Sequence, residues 1–201
     1  VNILILDSTT EGDEEFNKPL INLLSGVCDS TVQKPVDIGS PKALDGFDAL
    51  VISGVPIDYP YHLAITLHRV IRYAVKQNIP MIGVCLGHEG IGTFFGSKLM
   101  TARVKVDGVY KMNVRVRDPI FNGLPDAFLV RELHEASITV PDEFELLASS
   151  NRCRNMAMRH KDKPIYGLQF HPEFLPLHGN ILKNFINIAS TYDHGMVNSK
   201  D

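Results

Sequence analysis

The sequence predicts an α/β protein built on a doubly wound, mostly parallel central sheet, with helices on both faces and additional antiparallel strands in its second half. Three observations carry this expectation. The segments 2–6, 48–52 and 79–84 are short and, apart from Asn2 and Asp48 at their first positions, continuously apolar, as buried parallel strands are. Segments of helical period separate them, the alternation that winds helices around a parallel sheet. From Tyr110 to Arg117, Tyr110, Met112, Val114 and Val116 alternate with Lys111, Asn113, Arg115 and Arg117, the two-residue period of a half-exposed strand.

Asn2 to Leu6 is the first strand, and Asp7-Ser8-Thr9-Thr10 supplies turn chemistry after it. Asp13, Glu14 and Glu15 open a helix whose apolar residues include Phe16, Leu20, Leu23 and Leu24, ending near Gly26. Ser30 to Ile38 is a weaker strand broken by Pro35. Asp48 to Ile52 is the next buried strand, ending in Ser53-Gly54-Val55-Pro56. A helix from about Tyr61 to Asn78 carries Leu63, Leu67, Val70, Ile71, Ala74 and Val75. The strand 79–84 then turns into a further helix. Beyond it, Asp118 to Pro125 is a turn-rich connector, and short strands at 128–133, 144–148, 155–159 and 165–170 are expected to extend the sheet and to form a small covering sheet. A last helix, about His178 to Ser190, closes the fold, followed by a polar tail from Asp193 to Asp201. With 201 residues, 44% hydrophobic content and no repeat or linker, residues 1–201 read as one domain of the flavodoxin-like kind.

Composition excludes several classes of function. A net charge of −3 with scattered Lys and Arg gives no basic stripe for nucleic acid. No apolar run approaches a membrane span, and the chain opens on a strand-like segment instead of a leader, so a cytoplasmic location is expected. Cys28, Cys85 and Cys153 are odd in number and widely spaced, which argues against a disulfide framework and a metal site.

The chemistry concentrates at Gly83-Val84-Cys85-Leu86-Gly87, where an apolar strand ends on a cysteine with a glycine two residues to either side. This is the pattern of a nucleophile elbow: a sharp strand-to-helix turn presses its neighbours together, and the glycines remove the clashing side chains. A sulfur at a helix N-terminus is expected to favour the thiolate. A buried cysteine at a strand end is the plain alternative. A cysteine nucleophile needs a base and a group that orients it. His171-Pro172-Glu173, directly after the strand 165–170, offers both, since in extended geometry the two side chains project to one side. Ligands collect at the carboxyl ends of strands in such sheets, which places Cys85 beside Gly54 and Val55.

The elbow, His171-Pro172-Glu173, Leu50 to Pro56, Pro119 to Pro125 and Pro164 to Glu173 together resemble the triad-type, class I glutamine amidotransferase family across essentially the whole chain. Within it, Ala148-Ser149-Ser150 and Lys163 to Gly167 most resemble the free-standing amidotransferase subunits of GMP synthases. The resemblance implies Cys85 as nucleophile, His171 as general base and acid, and Glu173 as orienting carboxylate. It implies a glutamyl thioester formed from glutamine, with backbone N–H groups of Gly54, Val55 and Leu86 as the oxyanion hole. No cofactor is implied. A separate ATP-dependent synthetase subunit would receive the ammonia, because no nucleotide-binding glycine loop is present.

His134 and Glu135, within Arg131 to Ser137, align loosely with the family loop over the bound glutamine, which makes His134 a candidate substrate-binding residue, with a simple surface loop as the plain alternative. Two positions depart from the family. Val55 stands where glycine is usual, a poor exchange if the site needs positive φ. Glu89 stands where a substrate-holding glutamine is usual, and a carboxylate there would repel the substrate α-carboxylate and raise the Cys85 pKa. A γ-glutamyl or related thiol hydrolase, and a non-catalytic binding relative, therefore remain alternatives. Cys153, between Arg152 and Arg154, reads as an exposed loop thiol with a lowered pKa, and Cys28 as a core residue.

Overall fold

The computed structural model describes residues 1–55, 61–175 and 178–192; Pro56 and the tail 193–201 lie outside them, as does the side chain of Leu63. Nine strands form one mixed sheet in the order β2-β1-β3-β4-β9-β8-β7-β5-β6. The first five in that order, β2 (Asp29–Gln33), β1 (Asn2–Leu6), β3 (Ala49–Ile52), β4 (Met81–Val84) and β9 (Ile165–Leu168), are parallel. This is the flavodoxin-like order, with β9 in the fifth place. The remaining strands, β8 (Ala157–His160), β7 (Phe144–Ser150), β5 (Leu99–Val114) and β6 (Ala127–Ile138), are antiparallel to their neighbours.

The parallel strands are apolar throughout because both faces are covered. Ile3, Ile5, Val51 and Ile82 pack with Leu20, Leu24, Ile181 and Phe185, residues of α1 (Lys18–Ser25) and α4 (Gly179–Thr191). Leu4, Leu6, Leu50, Ile52 and Met81 pack on the other face with Leu67, Val70, Ile71 and Ile91, from α2 (Tyr61–Lys76) and α3 (Leu86–Phe94). Fully burying each such aliphatic side chain stabilises the fold by about 1.5–3 kcal/mol.

The second half departs from the expected layout. All nine strands belong to one sheet, so the small covering sheet is replaced by a long β5–β6 hairpin. β5 begins eleven residues before the alternating segment, and its register with β6 shifts between Thr101 and Val106. β6 runs through Arg131 to Ser137, which is therefore strand and not loop. An isolated antiparallel bridge joins Arg131 to His171, so β6 passes over the carboxyl ends of the parallel strands. The connector 118–125 is also more than a turn: Asp118 caps a 3-10 turn at Pro119–Phe121, and Ile120 and Phe121 are fully buried. The acidic start of the first helix is likewise a 3-10 turn, Glu14–Asn17, leading into α1.

The glycines around Cys85 differ sharply in what surrounds them. A Cβ on Gly83 would lie 2.3 Å from the Gly87 backbone, and one on Gly87 would lie 2.3 Å from the Ile52 carbonyl oxygen. A Cβ on Gly90, in the next turn of α3, would meet nothing nearer than Leu67 Cδ1 at 3.4 Å, with Ile71 Cδ1 at 3.8 Å, which is ordinary van der Waals contact. Gly83→Ala is therefore expected to destabilise by about 3 kcal/mol, the upper end of overpacking costs. Gly90→Ala should be neutral or stabilising by up to about 1 kcal/mol through helix propensity. Urea denaturation of both variants checks the contrast, and equal effects would contradict the elbow packing.

Candidate active site

β4 ends at Val84, α3 begins at Leu86, and Cys85 is the single residue between them. Its backbone takes φ 50° and ψ −103°, a conformation that a non-glycine residue adopts only when its surroundings enforce it. The enforcing contacts are local. The Cys85 N–H donates to the Leu168 carbonyl at 2.7 Å, its own carbonyl accepts from Glu89 N–H at 3.0 Å, and Gly83 and Gly87 are in backbone contact. The elbow read from the sequence is thus present, and the positive φ falls on the cysteine. Val55 has no positive φ, so the objection to a β-branched residue there is removed.

His171 and Glu173 follow β9. They meet through a turn and not through extended chain: Pro172–Phe174 is a 3-10 turn that folds the carboxylate back onto the ring. His171 Nδ1 lies 2.7 Å from Glu173 Oε1, and both side chains are fully buried. A carboxylate can only accept, so Nδ1 carries the proton and Nε2 presents its lone pair. Nε2 is buried without a hydrogen-bond partner. Phe16 and Phe174 pack against the imidazole at centroid distances of 5.4 and 5.2 Å, fixing the ring and excluding water. A Cβ on Gly54 would lie 2.9 Å from His171 Cε1 and 3.1 Å from Cys85 Cβ, so both side chains pack over the same glycine.

Gly54 is itself held by a buried polar network that sequence reading missed. Its carbonyl accepts from Asn17 Nδ2 and Ser53 Oγ. Asn17 Nδ2 also donates to Asp7 Oδ1 at 2.6 Å, and Lys34 Nζ donates to Asp7 Oδ2 at 2.8 Å. Asp7 and Ser53 are the first polar residues after β1 and β3, and that strand-end position was the available signal. Hydrogen bonds from Lys34, Asn17 and Thr9 outweigh burial and hold the Asp7 carboxyl below its ordinary pKa.

In the closed arrangement the thiol hydrogen-bonds to the Leu133 carbonyl at 3.5 Å and makes no hydrogen bond to His171. Leu133 is on β6, and the His171 N–H donates to the Arg131 carbonyl at 2.9 Å. Arg131 anchors this stretch through Asp107 and through the Gly108 and Glu132 carbonyls. Cys85 is consequently 5% exposed. Burial, then Glu89 and Glu173, push its pKa well above the ordinary thiol range, although the Leu86 N–H and the Gln169 amide favour the thiolate. The expectation of an acidified sulfur is thus overturned, because desolvation and two carboxylates outweigh the helix end.

Glu89 is buried in the first turn of α3 and accepts from Gln169 Nε2 at 3.1 Å. The same Nε2 lies 4.0 Å from Cys85 Sγ, so Gln169 bridges thiol and carboxyl. Burial pushes the Glu89 pKa up to about 7, against the pull of Gln169, His134 and His171. His134 is 7% exposed and sits in β6, with Nδ1 2.8 Å from the Ala136 carbonyl and Nε2 3.2 Å from Glu132. It is not a surface-loop residue. Cys153 is 4% exposed, and burial with Glu132 pushes its thiol up to about 12, so the expected exposed, acidified thiol is also overturned. Cys28 is half-buried beside the core, its thiol donating to the Leu24 carbonyl. Among the described residues no cluster of His, Cys, Asp or Glu could hold a metal ion, and no helix is long and apolar enough to cross a membrane.

A strained cysteine at a strand-to-helix elbow, beside a buried histidine–glutamate pair, has the parts that an activated thiol nucleophile needs. The family model for class-I glutamine amidotransferases matches residues 21–188, and the chain belongs to this family. It is similar to a glutamine-hydrolyzing GMP synthase subunit of Thermoplasma acidophilum, 38% identical over 161 residues covering 79% of this chain and 80% of the relative. The protein of the same name from Methanosphaera stadtmanae is 37% identical over 121 residues, 59% of this chain and 65% of that relative. The crystal structure of a putative GMP synthase subunit from T. acidophilum superposes with a TM-score of 0.83 at 31% identity, covering 96% of this chain and 95% of that one. The glutaminase domain of Trypanosoma brucei CTPS with bound acivicin shares the fold at a TM-score of 0.76 and 14% identity, covering 96% and 95% of the two chains.

Glu89 links this site to stability. In the unfolded chain it loses its proton near 4.5, in the folded chain near 7, so the native state holds the extra proton and stability falls as pH rises across that window. Glu89→Gln removes the penalty. Its stability relative to wild type should rise by about 3 kcal/mol between about pH 4 and about pH 8, measured by urea denaturation. A difference that does not change with pH would contradict the buried, protonated carboxyl.

Proposed function

We propose that this chain is the amidotransferase component of a two-component synthetase, hydrolysing glutamine to glutamate and ammonia. The observation that carries the reading is the buried His171 Nε2, unpartnered and with its tautomer fixed by Glu173, over the same glycine as Cys85. His171 Nε2 takes the thiol proton as Sγ attacks the side-chain amide carbon of glutamine. The imidazolium then protonates the departing nitrogen, ammonia leaves, and a γ-glutamyl thioester remains on Cys85. His171 next takes a proton from water, whose oxygen attacks the thioester and regenerates the thiol. Backbone N–H groups of Leu86, Gly54 and Val55 are the donors assigned to the oxyanion of each tetrahedral intermediate, with the Asp7–Asn17–Ser53 network setting the path of the second loop. His134 and Glu89 are the residues assigned to the amino-acid end of the substrate.

The acceptor of the ammonia lies on a separate ATP-dependent synthetase. The similarity to relatives named as glutamine-hydrolyzing GMP synthase subunits supports a GMP synthetase as that partner. Three free cysteines suit a reducing cytoplasm. The ordinary φ of Val55 weakens the case for a different γ-glutamyl substrate, which then rests on Glu89 alone.

Glutamine reaches the thiol only if the Leu133 carbonyl and β6 give way, and the thiol is protonated at neutral pH. Ammonia release by the chain alone should therefore be slow and should rise when the synthetase and its nucleotide substrates are added. Cys85→Ala should reduce release to background, and His171→Ala by about 10²-fold or more. Absence of ammonia release with and without the synthetase, or full activity in Cys85→Ala, would overturn the reading.

A further inference from the structure

The loop between β7 and β8 gathers positive charge that nothing in the proposed reaction uses. Arg115, Ser149, Ser150, Arg152, Cys153 and Arg154 line a pocket of about 460 Å³, within the size range of small-molecule sites. Its position follows from the register. Val84 pairs with Leu168, Leu168 with Ala157, and Ala157 with Ala148, so the loop lies at the same end of the sheet as the elbow. Three strand spacings, about 14 Å, separate it from Cys85.

The three guanidiniums lack carboxylate partners, as Arg69 and Arg72 also do among the described residues, and are set apart by lining one concavity together. Arg117 pairs with Asp126, Arg131 with Asp107, and Arg159 with Asp118 and Glu145. Among the described residues, Arg115, Arg152 and Arg154 form no ion pair with a carboxylate. Arg115 Nε instead donates to Ser149 Oγ at 2.6 Å, which holds its guanidinium at the pocket wall. The Arg152 guanidinium lies over the Tyr110 ring, 5.0 Å from its centroid. Ser150 Oγ accepts from the Arg152 and Cys153 N–H groups and so sets the loop. The carboxylates that act on Cys153, Glu132 and Glu89, are buried, and Glu132 is engaged by His134. In a chain of net charge −3, three uncompensated arginines around one concavity are a local excess of cation.

We propose that this pocket binds the phosphoryl groups of a small anion, either free pyrophosphate or the phosphate tail of a nucleotide. Guanidinium forks match phosphate oxygens with paired, charge-assisted hydrogen bonds, and hydroxyls supply the remaining donors. The volume exceeds that needed for a single phosphate. The site is separate from the thiol and holds whether or not the chain hydrolyses glutamine.

Isothermal titration of the full chain in a chloride buffer, with sodium pyrophosphate, ATP and adenosine as titrants, tests this. Pyrophosphate and ATP should bind saturably with Kd below about 1 mM, and adenosine should not bind. Arg152→Gln/Arg154→Gln should weaken both by at least about tenfold, a loss of about 1.4 kcal/mol. The single Arg154→Gln, at an exposed residue, should give a smaller loss, with unchanged circular dichroism in both variants. Equal affinities assign the site to free polyphosphate, and tenfold tighter ATP assigns it to a nucleotide. No saturable binding, or binding indifferent to the arginine variants, would overturn the proposal. So would variants that weaken association with the synthetase while wild type binds no anion, since the patch would then meet an acidic protein surface.

Discussion

The site depends on a steric constraint: β3, β4 and the first turn of α3 approach so closely that only glycine fits at 83 and 87. With those two Cβ atoms absent, the Gly87 backbone rests on Gly83 and on the Ile52 carbonyl, and the strain is concentrated at Cys85 with φ 50°. The same approach brings the β3 exit, Gly54, under both Cys85 and His171. Position is thus achieved by exclusion of side chains, and the polar network of Asp7, Asn17, Ser53 and Lys34 holds the loop that the packing alone would leave free.

The electrostatics run against a reactive thiol in the closed arrangement. Burial and the carboxyls of Glu89 and Glu173 disfavour the thiolate, and Leu133 holds the thiol hydrogen away from His171. A water-excluding lid of strand, fixed through Arg131, keeps the histidine–glutamate pair dry and oriented while blocking entry. These features restrain the thiol in this structure. Glu89 beside the thiol joins this restraint once it ionises above about pH 7, because its charge then opposes a second negative charge nearby.

Much of this was legible in the residues. Continuous apolar runs marked β1, β3 and β4, since a strand covered on both faces has no polar alternation to lose, and the spacing of Gly83 and Gly87 about Cys85 declared the elbow. The β5–β6 hairpin was only partly read. Met100, Ala102, Val104 and Val106 alternate with Thr101, Arg103, Lys105 and Asp107, a two-residue period that carries the strand back from Tyr110 and that Gly108 interrupts, and β6 is held by its pairing with distant residues, including the bridge from Arg131 to His171. The buried state of His134 and Cys153 was missed for the same reason: polar neighbours in sequence suggested a surface, and long-range packing covered them. The raised thiol pKa was read only in part: Glu89 signalled it, but its largest cause is burial that only the assembled fold produces.

The most direct test is rapid acid quench of the chain mixed with glutamine and its synthetase, followed by mass spectrometry of the peptide that contains Cys85. The account predicts a peptide heavier by one glutamyl group on Cys85, sensitive to hydroxylamine and lost in His171→Ala. Ammonia release with no adduct in wild type, or an adduct mapped to Cys28 or Cys153, would contradict it.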